Sequence, residues 1–178
     1  MLRLSHGSLH LSPSDLADLE HGVIIKPKDG MSMDMDRIDS KANLIYELVE
    51  KFLNNKAILL IDDEEEIKQL MSNYLIKSRI EEDRIVTASD GKEALSKIQN
   101  QEFGLIIVDI VMPRMSGLQL IKELKARKKY KDIPILIISG TIDADNVKSA
   151  ISMGISHIIV KPFTYNIFLD KIGRTLGV

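Results

Sequence analysis

The chain has no cysteine, which excludes disulfides, thiolate metal sites and thiol catalysis together. It has no apolar run approaching the roughly 20 residues that a membrane-spanning helix needs. Its opening residues, Met1 to His10, set Arg3, His6 and Gly7 among leucines and lack the apolar core of a signal peptide. A cytoplasmic location is therefore expected. Charge of neither sign dominates: 24 lysines and arginines against 26 aspartates and glutamates leave a formal charge of −2. That balance speaks against a general nucleic-acid-binding or membrane-surface protein. What is present is 178 residues, 44% hydrophobic and 28% charged. This is the composition of an ordinary globular protein with room for one sizeable core and an appendage.

The appendage comes first. Residues 1–34 read as a weakly ordered segment, with short apolar patches scattered among Gly7, Pro13, Gly22, Pro27 and Gly30. Within it, Ser12-Pro13-Ser14-Asp15 resembles a helix start, with serine as cap and proline in the first turn. Residues 35–55 are expected to form one amphipathic helix, because Ile38, Ala42, Ile45, Leu48, Val49 and Phe52 recur at steps of three and four. Two readings of it stand: a linker helix packed on the remainder of the chain, or a dimerisation or partner-docking helix.

From Lys56 the pattern changes to short apolar runs alternating with amphipathic stretches. Strands are expected at Ala57–Ile61, Arg84–Ala88, Gly104–Asp109, Ile133–Ile138 and His157–Val160. Helices are expected at Glu64–Ser78, Asp90–Asn100, Gly117–Lys129, Asp143–Met153 and Phe163–Leu176. Five β-α units in succession imply an α/β fold, a doubly wound parallel sheet with helices on both faces. Right-handed crossovers then make every strand end face the same edge. The endings are Asp62-Asp63, Asp109, Ser139 and Lys161, and a crevice at that edge collects them.

Carboxylates sharing one edge repel each other unless a cation relieves them. No thiolate ligand is available and no histidine lies at those strand ends, so oxygen-only ligation points to Mg²⁺ or Mn²⁺. Lys161 adds positive charge and Ser139 a hydroxyl. Acids, a metal, a lysine and a hydroxyl around one point suit a transferred phosphoryl group, whose charge needs such neutralisation. Asp109 is the natural nucleophile, since a carboxylate can form an aspartyl phosphate.

These residues carry a family resemblance. Asp62-Asp63, Asp109 with Met112-Pro113 and Ser116-Gly117, Ser139 and Lys161-Pro162-Phe163 resemble the signature of a response-regulator receiver domain of the CheY-like type. Asp90-Gly91-Lys92-Glu93-Ala94-Leu95 is similar to the family's second helix start. The likeness covers residues 56–178. It implies a flavodoxin-like sheet of order 2-1-3-4-5 and a phosphoryl group taken by Asp109 from a phosphohistidine on a sensor histidine kinase or histidine phosphotransfer protein. It implies Mg²⁺ held by Asp63, Asp109 and the backbone carbonyl of Val111, with Asp62 acting through a water. Lys161 is implied to pair with the phosphoryl oxygens and Ser139 to hydrogen-bond one of them. The face formed by helix four, strand five and helix five is then implied to shift toward a downstream target. The resemblance further implies a structural role for Gly117 and a cis bond before Pro162. The chain departs from the family at Ile158, where an aromatic switch residue is usual, at Gly140 in place of alanine, and at His157 where an acid is frequent.

Plainer readings apply elsewhere. Glu64, Glu65 and Glu66 compensate a helix dipole. The basic run Lys125, Arg127, Lys128, Lys129 and Lys131 belongs to a helix C-terminus rather than to a nucleic-acid site. His6 and His10 lie in the N-terminal segment, and His157 is an ordinary strand residue. The leading expectation is a phospho-accepting switch that works through a partner, with homodimerisation open. The rival is a phosphorylation-independent interaction module that keeps the fold. A metal-dependent phosphatase is disfavoured, because Val111 leaves no acid-base group two positions after Asp109.

Overall fold

The computed structural model describes residues 47, 49, 51, 53–140 and 144–177. The expectations for residues 1–34, most of those for the helix at 35–55, and the helix start at Asp143 lie outside the described residues. In chain order the described elements are β1 (Ala57–Ile61), α1 (Glu65–Lys77), a 3-10 turn (Glu82–Arg84), β2 (Ile85–Ala88), α2 (Gly91–Asn100) and β3 (Phe103–Asp109). There follow α3 (Gly117–Lys125), β4 (Ile135–Ser139), α4 (Ala144–Ser152), β5 (Ile158–Val160) and α5 (Tyr165–Leu176). The strands form one parallel sheet of order β2-β1-β3-β4-β5, so the doubly wound, flavodoxin-like architecture is the one observed.

Strand periodicity divides the core into two layers. Ala57, Leu59 and Ile61 of β1, Ile106 and Val108 of β3, and Ile135 and Ile137 of β4 face α2, α3 and α4. Ile58 and Leu60, Leu105 and Ile107, and Leu136 and Ile138 face α1 and α5. All the residues of β1, β3 and β4 are buried, which is why those strands read as unbroken apolar runs rather than as alternation. Val49 and Leu53, both in helical conformation ahead of β1, are buried in the second layer. Gly104 makes room for that packing, since a Cβ there would come within 2.8 Å of a Leu53 methyl carbon and 3.0 Å of its Cα.

Helix starts obey local chemistry. Asp90 caps α2, Ser116 and Gln119 form a capping box on α3, and Thr164 caps α5. The third helix is shorter than its sequence suggests. It stops at Lys125 rather than Lys129, because the chain tightens into turns closed by Arg127 N–H to Leu124 and Tyr130 N–H to Arg127, with Tyr130 buried as an anchor. The fourth strand starts at Ile135 rather than Ile133, since Pro134 has no N–H to give a ladder.

Candidate functional site

The carboxyl edge of the sheet gathers side chains from four segments. Asp62 follows β1 and is fully buried. Its backbone N–H donates to the Ala88 carbonyl at the end of β2, 3.1 Å away. Its Oδ1 accepts from the Glu64 N–H at 3.0 Å. Asp109 is the last residue of β3 and is 4% exposed. Its Oδ2 accepts from the Val111 N–H at 2.6 Å, so the carboxylate is oriented by its own loop. Ser139 ends β4, is fully buried, and its carbonyl accepts from the Lys161 N–H at 2.9 Å. Lys161 follows β5, and its bond to Pro162 is cis.

The Lys161 ammonium joins these segments. Its Nζ lies 2.8 Å from Asp62 Oδ2, 2.9 Å from Glu64 Oε1 and 3.3 Å from Asp109 Oδ1. Gly117 controls where Asp109 can sit. A Cβ on that glycine would fall 2.0 Å from the Asp109 carbonyl oxygen, so only a residue without a side chain lets the start of α3 come this close. The Gly117 N–H donates to the Ile110 carbonyl at 3.0 Å, closing the loop after the acid.

The electrostatics are set by burial. Burial pushes the Asp109 carboxyl above its ordinary range; the Lys161 charge opposes this and the Asp62 charge adds to it. Burial likewise raises Asp62, against the pull of Lys161 and the Glu64 N–H. For Lys161 burial alone favours the neutral amine, but hydrogen bonds with Asp62 and Glu64 and the charges of Asp109 and Asp62 outweigh it and raise its pKa. The site thus holds a firmly protonated lysine beside two buried acids that still have a reason to gain a cation. An all-oxygen donor set of this kind fits a hard divalent ion.

The candidate residues differ in how closely they converge. Asp62, Asp109 and Lys161 meet directly, and Ser139 is tied to Lys161 through the backbone. Asp63 and Val111 are exposed, and among the described residues no three acidic or histidine side chains already form a cation cage. Ile158 is half-buried and packs in the layer that faces α2, α3 and α4. The sequence casts Glu64 as a helix-terminus charge, yet it reaches Lys161 and makes no side-chain capping bond. Nothing in the sequence separates it from Glu65 and Glu66, because its role depends on where a lysine 97 positions later is placed.

Residues 58–172 match the model of the response regulator receiver domain. The chain is 33% identical over 121 residues to a chemotaxis protein CheY homolog of Campylobacter jejuni, covering 67% of this chain and 92% of that protein. It is equally close to chemotaxis protein CheY1 of Helicobacter pylori, at 33% over 121 residues, 67% of this chain and 96% of the relative. Among solved structures, the chemotaxis response regulator CheY4 of Vibrio cholerae superposes with a TM-score of 0.61 at 32% identity, covering 67% of this chain and 98% of that one. With this sheet order, the family match and these relatives, the chain belongs to the response regulator receiver family.

Proposed function

We propose that this receiver accepts a phosphoryl group on Asp109 from a phosphohistidine of a sensor histidine kinase or phosphotransfer protein, and then switches a partner-binding surface. Receiver domains as a class are non-enzymatic signalling modules that bind a divalent metal and interact with histidine kinases and downstream targets. The observation that carries the finer reading is the Lys161 ammonium, 3.3 Å from Asp109 and 2.8 Å from Asp62. It sets a countercharge for incoming phosphoryl oxygens beside a buried acid suited to accept the group.

In the transfer, an oxygen of the Asp109 carboxylate forms the new bond to phosphorus while the phosphorus–nitrogen bond to the donor imidazole breaks. The imidazole leaves as the neutral base once it holds a proton. Val111 N–H keeps one carboxylate oxygen occupied, so the other is the one presented beside Lys161. Asp62, Asp63, Asp109 and the Val111 carbonyl are the groups that would hold Mg²⁺ or Mn²⁺, which when bound neutralises charge on the phosphoryl oxygens. Ser139, at the end of β4, would donate its hydroxyl to the phosphorylated acid. The surface for a downstream target is the α4–β5–α5 face, where Ile151, Val160 and Ile167 are exposed.

The test is incubation with acetyl phosphate and Mg²⁺ followed by intact-mass measurement, with Asp109→Asn as control. One phosphoryl group on the wild type and none on the variant is expected. An unmodified wild type would sink the reading. It would favour a second one, a phosphorylation-independent interaction module, for which Ile158 speaks: an aliphatic, half-buried β5 residue has no ring to swing between core and solvent.

A further inference from the structure

The loop between β3 and α3, residues 110–116, supplies the N–H that orients Asp109, and it is fastened to an element that takes no part in the phosphoryl chemistry. Asp90, fully buried, caps α2 through its Oδ1, which accepts from the N–H groups of Lys92 and Glu93 at 2.7 and 3.0 Å. Its Oδ2 faces the Arg114 guanidinium in an ion pair. Among the described residues that oxygen makes no other hydrogen bond. A second fastening lies beside it. The Gly91 N–H donates to the Met115 carbonyl at 3.1 Å, and a Cβ on Gly91 would fall 2.6 Å from Met115 Cγ and 2.9 Å from that carbonyl oxygen.

Arg114 is an unusual residue for its place. Its φ is +63°, the left-handed region where glycine is at ease and a side chain is not. Its side chain is 59% exposed, so it contributes little to either core layer. A residue that is costly for the backbone and idle in the core still has one contact with consequence, the carboxylate of Asp90. Backbone strain of this kind persists where the surroundings use it.

We propose that the Arg114–Asp90 pair is a positioning device for the acceptor. It pins the loop to the α2 start so that the Val111 N–H stays on Asp109 Oδ2 and the other oxygen stays toward Lys161. Without the guanidinium, Asp90 Oδ2 is left buried with no cation, the loop is released, and the acceptor loses its fixed orientation. The proposal rests on Asp109 being the acceptor.

The experiment compares the full chain with Arg114→Gly and Arg114→Lys. The glycine variant removes the guanidinium while easing the left-handed backbone; the lysine variant keeps a cation. Three quantities are read: the phosphorylation rate of Asp109 from acetyl phosphate in saturating Mg²⁺, amide hydrogen exchange across residues 110–117, and the thermal midpoint. The glycine variant is expected to melt somewhat below the wild type, because the eased backbone offsets only part of the cost of the unpaired Asp90 carboxylate, to exchange faster at Val111 and Gly117 but not across the other elements, and to phosphorylate about tenfold more slowly. The lysine variant is expected to recover part of the rate. A glycine variant that phosphorylates at the wild-type rate would overturn the positioning role, whether or not its loop exchanges faster. A slow rate accompanied by a lowered midpoint and faster exchange in every element would also overturn it, by showing general loosening. If the wild type itself takes no phosphoryl group, the acceptor reading fails, and the fastening is judged by the exchange alone: protection unchanged in the glycine variant would refute it.

Discussion

Both ends of the sheet carry charged side chains, and they treat them differently. At the amino end an open depression of about 450 Å³ is lined by Lys125, Lys131, His157 and Arg174, among others. Two of its cations have an acid beside them, and Lys125, whose pKa burial lowers, is held by a carbonyl. Arg174 Nε sits 2.8 Å from Asp170, Lys131 lies 3.9 Å from Asp132, and Lys125 donates to the Lys131 carbonyl at 2.7 Å. At the carboxyl end, Asp62 and Asp109 are buried and share a single ammonium. Solvent screens the Arg174–Asp170 and Lys131–Asp132 pairs, and such exposed pairs contribute little. Nothing screens the set at the carboxyl end, so its imbalance persists as carboxylates whose pKa values are raised by burial. Charge on a surface therefore says little about function, whereas buried charge left incompletely matched marks where a ligand belongs.

The contrast can be broken first at its centre. Lys161→Ala should slow phosphorylation of Asp109 on the order of 100-fold, the usual loss when one stabilising group leaves a developing charge. Timed intact-mass measurement would read it, and a rate within a few-fold of wild type would remove Lys161 from the mechanism. Gly117→Ala comes next. Its Cβ would overlap the Asp109 carbonyl oxygen, and forcing the backbone apart should cost about 3 kcal/mol of stability in urea unfolding. An unchanged midpoint would mean that the close approach is not needed.

A smaller effect of opposite sign is expected from Asp109→Asn without metal. Because burial raises the Asp109 pKa, the folded state binds the proton more tightly than the unfolded chain, and the ionised acid costs stability at neutral pH. The asparagine variant should therefore be more stable than the wild type at pH 7. The advantage should shrink as pH falls through the raised pKa, where the wild-type acid becomes neutral. Thermal melts across that range would show it, and a variant less stable at pH 7 would contradict the electrostatic account. Smallest of all, Arg174→Ala at the amino end should leave the phosphorylation rate unchanged. A clear loss would erase the distinction between the two ends.

Much of this is legible in the sequence because apolar runs and polar stops are one-dimensional signals. Leu105 to Val108 ending in Asp109, and Ile58 to Ile61 ending in Asp62, announce both a buried strand and an acid at its end. The edge on which those acids meet Lys161 is then a consequence of parallel topology. The remainder needs three dimensions. Helix α3 ends four residues before its sequence suggests, since turns anchored by buried Tyr130 compete with a lysine-rich stretch that has good helix propensity. Glu64 joins the site only because Lys161 arrives from the far end of the chain. Arg114 carries no sequence signal at all: its left-handed backbone and its contact with Asp90 are invisible until the loop is folded.

The most direct test is a structure of the protein with beryllofluoride and Mg²⁺, which together imitate the phosphorylated acid. The account predicts beryllium joined to an Asp109 oxygen, Mg²⁺ held by Asp62, Asp63, Asp109 and the Val111 carbonyl directly or through water, and Lys161 Nζ turned from Glu64 to a fluorine. An adduct on another residue, or an Asp109 that stays bare with Lys161 still held by Glu64, would contradict it.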